Sequence, residues 1–186
     1  PFNIKNDRII RGGPADAELA KLFSNTALAA RVATVNEFAR IADVTSGADM
    51  DIIRRMVCED LRIGYNFMFP SPGYGGSCCP KDIQGVVEQT KLDGYNPLLL
   101  SMIHSSNETH KNYMGERIRS ILQNTKNPKI AVWGATFKPN TDDMRDAPSL
   151  DIIELLKQEG VSISAYDPQA MENAKKLIEN IEFGKD

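Results

Sequence analysis

The sequence predicts an α/β chain in which a long helical part precedes an incomplete parallel, doubly wound sheet. Two observations carry this. Residues 14 to 124 hold apolar runs of helical period with few breakers, interrupted by one stretch crowded with Gly, Pro and aromatic residues. From residue 129 onward the period changes, and strand-like and helix-like segments alternate.

The elements follow in order. Ala17 to Val44 is rich in Ala, Leu, Val and Phe and has no internal Gly or Pro, with Pro14 and Asp16 as start signals and Ser46-Gly47 as a stop. A helix this long points to a central packing or dimer-forming element. A short helix is expected near Asp49 to Val57, then a loop from Leu61 to Pro80. A further helix is expected from Lys81-Asp82 to Leu92, and another long one from Pro97 to near Asn124. Lys129 to Phe137 reads as a strand, 138 to 148 as a polar loop, and Ser149 to Glu159 as an amphipathic helix capped by Gly160. Val161 to Tyr166 is a second strand, Met171 to Ile178 a helix, and 181 to 183 a short third strand. The domain division read from this is 1–13, 14–124 and 125–186.

With 41% hydrophobic and 25% charged residues, the chain reads as an ordinary soluble protein, and no apolar run is long enough to span a membrane. A net charge of −3 gives no basic stripe for nucleic acid. The absence of a signal segment together with this composition favours the cytoplasm. The three cysteines, Cys58, Cys78 and Cys79, make a poor disulfide framework, because their number is odd and two are adjacent. No metal site is expected: there is no CxxC pair, and His104 and His110 fall on different faces of one helix. Cys58 fits the role of a small buried hydrophobe.

The strongest local signal is the run from Pro72 to Asp82, in which Gly73, Gly75 and Gly76 precede Cys78. Such glycines let backbone N–H groups approach a ligand. A cysteine beside a helix N-terminus, with Lys81 nearby, has the surroundings that stabilise a thiolate. On the loop alone, an activated nucleophile and a tight structural turn with buried cysteines stand level. Lys21 and Asn25, one helical turn apart, continue into the apolar positions Leu28 and Val32. They are therefore expected to point inward, where a Lys or Asn needs a partner or a task, unless they lie beyond the packed end of the stripe and are solvated.

Taken together these residues resemble the UDP-glucose and GDP-mannose dehydrogenases. The resemblance runs through 17 to 21 with Asn25, Asn36-Glu37, Arg62-Ile63-Gly64, the Gly-rich thiol loop, and Gly134 with residues 137 to 143 and Arg145. It covers nearly the whole chain in order and spacing. It implies a helical central, dimerisation domain followed by a partial Rossmann-like domain for the nucleotide sugar. It also implies two hydride transfers to NAD that take a sugar 6-hydroxyl to the acid.

In that scheme Cys78 forms a thiohemiacetal and then a thioester, which water hydrolyses. Lys21 and Asn25 match residues that stabilise developing oxyanion charge, and Asp82 matches a carboxylate that assists water or proton transfer. For substrate binding, the matching positions are Phe67, the backbone of Tyr74, Gly75 and Gly76, Lys138, and Arg62 reaching in from the partner of a homodimer. Lys81 and Arg145 match positions near the cofactor. The expected substrate is a nucleotide sugar, with the loop leaning towards UDP-glucose. The alternatives are a dehydrogenase of an N-acetylated UDP-amino sugar and a non-catalytic nucleotide-binding dimerisation module.

Three departures from the family pattern stand out. No GxGxxG follows an opening strand, so the main NAD-binding half is expected to be absent and this length of chain inactive alone. Residues 6 to 13 resemble the end of that half, yet only Pro14-Ala15-Asp16 separates them from the lysine-bearing helix, and the chain stops partway through the second sheet. Cys79 stands where the family has an aromatic residue, so the choice of Cys78 over Cys79 rests on register.

Overall fold

The computed structural model describes residues 9–77 and 79–184. Residues 1–8, most of the segment expected to close an earlier domain, lie outside the described residues. Four helices come first: α1 (Pro14–Val44), α2 (Met50–Cys58), α3 (Cys79–Leu92) and α4 (Leu98–Leu122). Then β1 (Lys129–Trp133), α5 (Pro148–Gln158), β2 (Ser162–Tyr166), α6 (Met171–Leu177) and β3 (Glu182–Phe183) alternate.

Local chemistry sets the boundaries. Helix α1 opens at Pro14, at the expected start signals, because proline fits the first turn and the Asp16 carboxylate accepts the Gly13 N–H at 2.8 Å. Helix α2 is capped by Asp49, whose side chain accepts from the N–H groups of Asp51 and Ile52. Strand β1 stops at Trp133 rather than Phe137, since the chain turns at Gly134, whose N–H donates to Tyr166 O at 2.8 Å. The sheet has order β1-β2-β3 and is parallel throughout, with Lys129 opposite Ser162 and Ser164 opposite Glu182. The α/β class and the parallel pairing are as expected.

Two main cores form. Ala29, Ala33, Ile83, Val87 and Ile103 of the helices close around Tyr74 of the loop. Ile153, Leu156, Ile163 and Ala174 fill the space under the sheet. A smaller cluster joins Val35, Met68 and Cys58, which is buried as its composition-based reading expected. Helix α4, about 37 Å long at 1.5 Å per residue, packs on α1 and α3 and also on α5. Lys111 strengthens that second junction: its buried ammonium reaches Asp151 of α5 at 2.9 Å and Glu108 at 3.1 Å. Burial opposes its charge, but these carboxylates win and raise its pKa above the ordinary lysine value.

Candidate active site

The site begins where α1 crosses the start of α3. Lys21 and Asn25 share a face of α1, and both donate to the same oxygen of Asp82, in the first turn of α3. The Lys21 Nζ–Oδ2 distance is 2.6 Å and the Asn25 Nδ2–Oδ2 distance 2.7 Å. Burial pushes the Asp82 carboxyl up, yet the two hydrogen bonds and the nearby Lys21 and Lys81 charges hold it below the ordinary value. Asp82 therefore carries a negative charge at neutral pH. Of the two readings open for Lys21, inward or solvated, the structure favours the second, its side chain being 59% exposed. Its ammonium is nevertheless paired with Asp82.

Cys78 lies outside the described residues, so its flanks define the site. Cys79, the first residue of α3, is partly buried and packs against the helical core. On the other flank, both α1 and α4 hold the loop. The Ser71 N–H donates to Asn36 Oδ1 at 2.9 Å, and His110 Nε2 donates to Ser71 O at 2.8 Å. Burial lowers the His110 pKa, keeping it neutral with the proton on the nitrogen that faces the carbonyl. Asn107 bonds Tyr74 twice, its Oδ1 accepting the N–H at 2.8 Å and its Nδ2 donating to the carbonyl at 3.0 Å.

The loop also docks on the second half of the chain. The Gly76 N–H donates to Arg145 O at 2.8 Å. A Cβ on Gly75 would lie 2.0 Å from Asp146 O, and one on Gly76 would lie 2.7 Å from the Phe137 ring. Gly76 also has φ of 86°, so both positions need glycine for contact, and Gly76 for conformation as well. On the Phe137 ring rests the Lys138 ammonium, 5.2 Å from the centroid. The structure thus brings Lys21, Asn25 and Asp82 into one cluster. It ties Gly75 and Gly76 to the segment that bears Lys138 and Arg145, and Tyr74 to α4.

Of the remaining expected residues, Lys81 adjoins Asp82 and its charge acts on that carboxylate, whereas Arg62 and Phe67 belong to the loop after α2. Arg62 is exposed and its guanidinium pairs with Asp60 at 2.6 Å. Phe67 is half exposed, in a left-handed conformation (φ 58°) that is rare for an aromatic residue. Arg31 of α1 holds this part of the loop by donating to Ile63 O at 2.6 Å and Asn66 O at 2.8 Å. Lys81 is exposed, and the Arg145 guanidinium rests on Asp143 at 2.7 Å.

Sequence reasoning missed Arg31, Asn107, His110, Lys111 and Asp167. For α4 a signal existed: Asn107, His110 and Lys111 interrupt the buried stripe of Ile103 and Gly115 at helical spacing, as polar residues that burial obliges to pair. Asp167, just past β2, accepts N–H groups from Ala135 at 2.7 Å, Thr136 at 3.3 Å, and Gln169 and Ala170 at 2.9 Å each. Among the described residues no group of His, Cys, Asp and Glu could hold a metal ion, and no helix is long and apolar enough to cross a membrane.

This arrangement matches known proteins. Residues 15–109 match the central domain of the UDP-glucose/GDP-mannose dehydrogenase family, and residues 131–186 match that family's UDP binding domain. The UDP-glucose 6-dehydrogenase of Pseudomonas aeruginosa is 36% identical over 171 residues, which are 91% of this chain and 38% of the relative. Among solved structures, a UDP-glucose dehydrogenase from the archaeon Pyrobaculum islandicum superposes with a TM-score of 0.85 at 30% identity, over 93% of this chain and 40% of that one. The UDP-N-acetyl-mannosamine dehydrogenase Cap5O from Staphylococcus aureus does so with a TM-score of 0.74 at 27% identity, over 93% and 38%. The chain thus spans about two fifths of the length of these relatives. With both domain models matched in order, the chain belongs to the UDP-glucose/GDP-mannose dehydrogenase family.

Proposed function

We propose that this chain is the thiol-bearing and part of the nucleotide-sugar-binding portion of a cytoplasmic nucleotide-sugar 6-dehydrogenase, acting on UDP-glucose. The observation that carries the proposal is the Asp82 carboxylate, gripped by Lys21 and Asn25 and four residues after Cys78 in sequence. Cys79 is engaged with the core, which supports Cys78 as the nucleophile.

In this reading Cys78 adds to the 6-aldehyde to give a thiohemiacetal, and loss of a hydride leaves a thioester that water cleaves to the acid. The Lys21 ammonium and the Asn25 amide meet the oxyanion that develops on the former carbonyl oxygen in both the addition and the hydrolysis. Asp82, ionised and anchored, takes the proton from the attacking water. Lys138, Phe67 and the backbone of Tyr74, Gly75 and Gly76 hold the nucleotide sugar.

NAD, when bound, accepts the two hydrides. The turn after β1 does not fit a dinucleotide pyrophosphate, because Asp167 already accepts the Ala135 and Thr136 N–H groups that such a ligand would use. From this chain, only Lys81 and Arg145 are assigned to approach the cofactor. A homodimer through α1 is supported by the exposed apolar residues Leu19, Phe23, Ile41 and Val44 along that helix. It would bring Arg62 of one copy to the site of the other.

Alkylation kinetics test the reading. Cys78 should react with iodoacetamide faster than Cys58, and UDP-glucose should slow it; equal, slow labelling of all three cysteines would favour a binding module without chemistry. Turnover of the full-length enzyme carrying this chain, with UDP-glucose, GDP-mannose and UDP-N-acetyl sugars, assigns the substrate. The fold likeness to Cap5O makes an N-acetylated sugar the second reading.

A further inference from the structure

We propose that Asn107 is a positioning residue that sets the aim of the thiol loop, an inference that rests on the function proposed above. Residues 71 to 77 form no helix or strand, yet Tyr74 is 7% exposed, so its peptide groups have little access to water. Buried peptide groups need partners. Asn107, itself 1% exposed, answers the Tyr74 N–H and C=O with one planar amide, as a neighbouring strand would. A carboxamide is suited to this because it offers a donor and an acceptor in one plane.

The clamp fixes one end of a short lever. Tyr74 lies four residues before Cys78, and Asp82 lies four residues after it, held by Lys21 and Asn25. In sequence the thiol therefore falls midway between two anchored residues, Tyr74 held by α4 and Asp82 held by α1. Gly73 allows the clamp its close approach, since a Cβ there would lie 3.0 Å from Asn107 Oδ1. The flanking bonds from Asn36 and His110 reach Ser71, three residues further from the thiol, and hold the loop's entry rather than its aim. Asn107 bonds Tyr74 and not the Asp82 carboxylate, so it acts through Tyr74.

The test uses the full-length enzyme with Asn107→Leu, which removes both bonds at similar volume, and Asn107→Asp, which keeps the acceptor for the Tyr74 N–H and loses the donor. We expect kcat for UDP-glucose to fall about tenfold or more while KM changes less than about threefold, because misplacing a reacting group costs rate rather than affinity. Iodoacetamide labelling of Cys78 should lose its lead over Cys58 in Asn107→Leu, and Asn107→Asp should fall between. Should Asn107→Leu fail to fold, Asn107→Asp carries the test alone. A folded variant with unchanged kcat and unchanged Cys78 labelling would overturn the positioning role. If wild-type Cys78 reacts no faster than Cys58 and gains no protection from UDP-glucose, it is the proposed function that fails, and the positioning role falls with it.

Discussion

The Lys21 ammonium meets the Asp82 carboxylate at 2.6 Å across 61 residues of sequence, and Asn25 joins it on the same oxygen. The pair is asymmetric, with the Lys21 side chain 59% exposed and that of Asp82 13% exposed. A pair with one hydrated partner adds little stability. We expect Lys21→Ala in the full-length enzyme to lower kcat by about 10²–10³-fold with only a small change in melting temperature, the loss typical of an oxyanion donor. Asp82→Asn should lower kcat by about 10²–10⁴-fold. It should also let the acylated enzyme accumulate, which mass spectrometry after a substrate pulse would detect. An Asp82→Asn enzyme with wild-type kcat would remove Asp82 from the mechanism.

Gly75 and Gly85 give a paired test of the loop's packing. A Cβ at Gly75 would lie 2.0 Å from Asp146 O, whereas one at Gly85 of α3 meets nothing within 4 Å. Gly75→Ala should destabilise by about 1–3 kcal/mol or more, because backbone must move. Gly85→Ala should stabilise by about 0.4–1 kcal/mol through helix propensity and reduced freedom of the unfolded chain. Urea denaturation of both variants measures the difference, and equal effects would contradict the docking of the loop against Asp146.

Asp167 makes stability depend on pH. Burial raises its pKa, but the N–H groups of Ala135, Gln169, Ala170 and Thr136 pull it below the ordinary value of 3.8. A depressed carboxylate contributes stability that is fully present above its unfolded value and is lost as pH falls through its folded value. Asp167→Asn should therefore cost about 1–3 kcal/mol at pH 7. The gap between variant and wild type should narrow once pH falls below about 4, the unfolded carboxylate value. Thermal melts from pH 7 down to pH 3 would show it, and a gap constant with pH would rule out the charged form as the cause.

Arg62 separates structure from assembly. Its guanidinium is exposed and paired with Asp60. Arg62→Ala should leave the melting temperature almost unchanged. If it reaches the partner's site in a homodimer, the same change should raise KM for UDP-glucose at least about tenfold. Steady-state kinetics beside a melting curve decide this, and an unaltered KM would leave Arg62 a surface charge.

What the sequence determined by itself was local. Helical period, the proline at the start of α1, the alternation after residue 129 and the glycine run before Cys78 are encoded within a few residues, so fold class and the thiol loop were legible. The Lys21–Asn25 face was legible for the same reason, since one helical turn aligns them. Tertiary structure alone decided which distant groups meet. Only the packing of α1 on α3 put Asp82 under Lys21 and Asn25, and only α4 put Asn107 on a peptide 33 residues away. It also decided exposure: the stripe left Lys21 either inward or solvated, and its side chain is exposed, because burial depends on what a neighbouring element covers. Period tells which residues share a face, while partners depend on how faces are docked, and that information is spread over the whole chain.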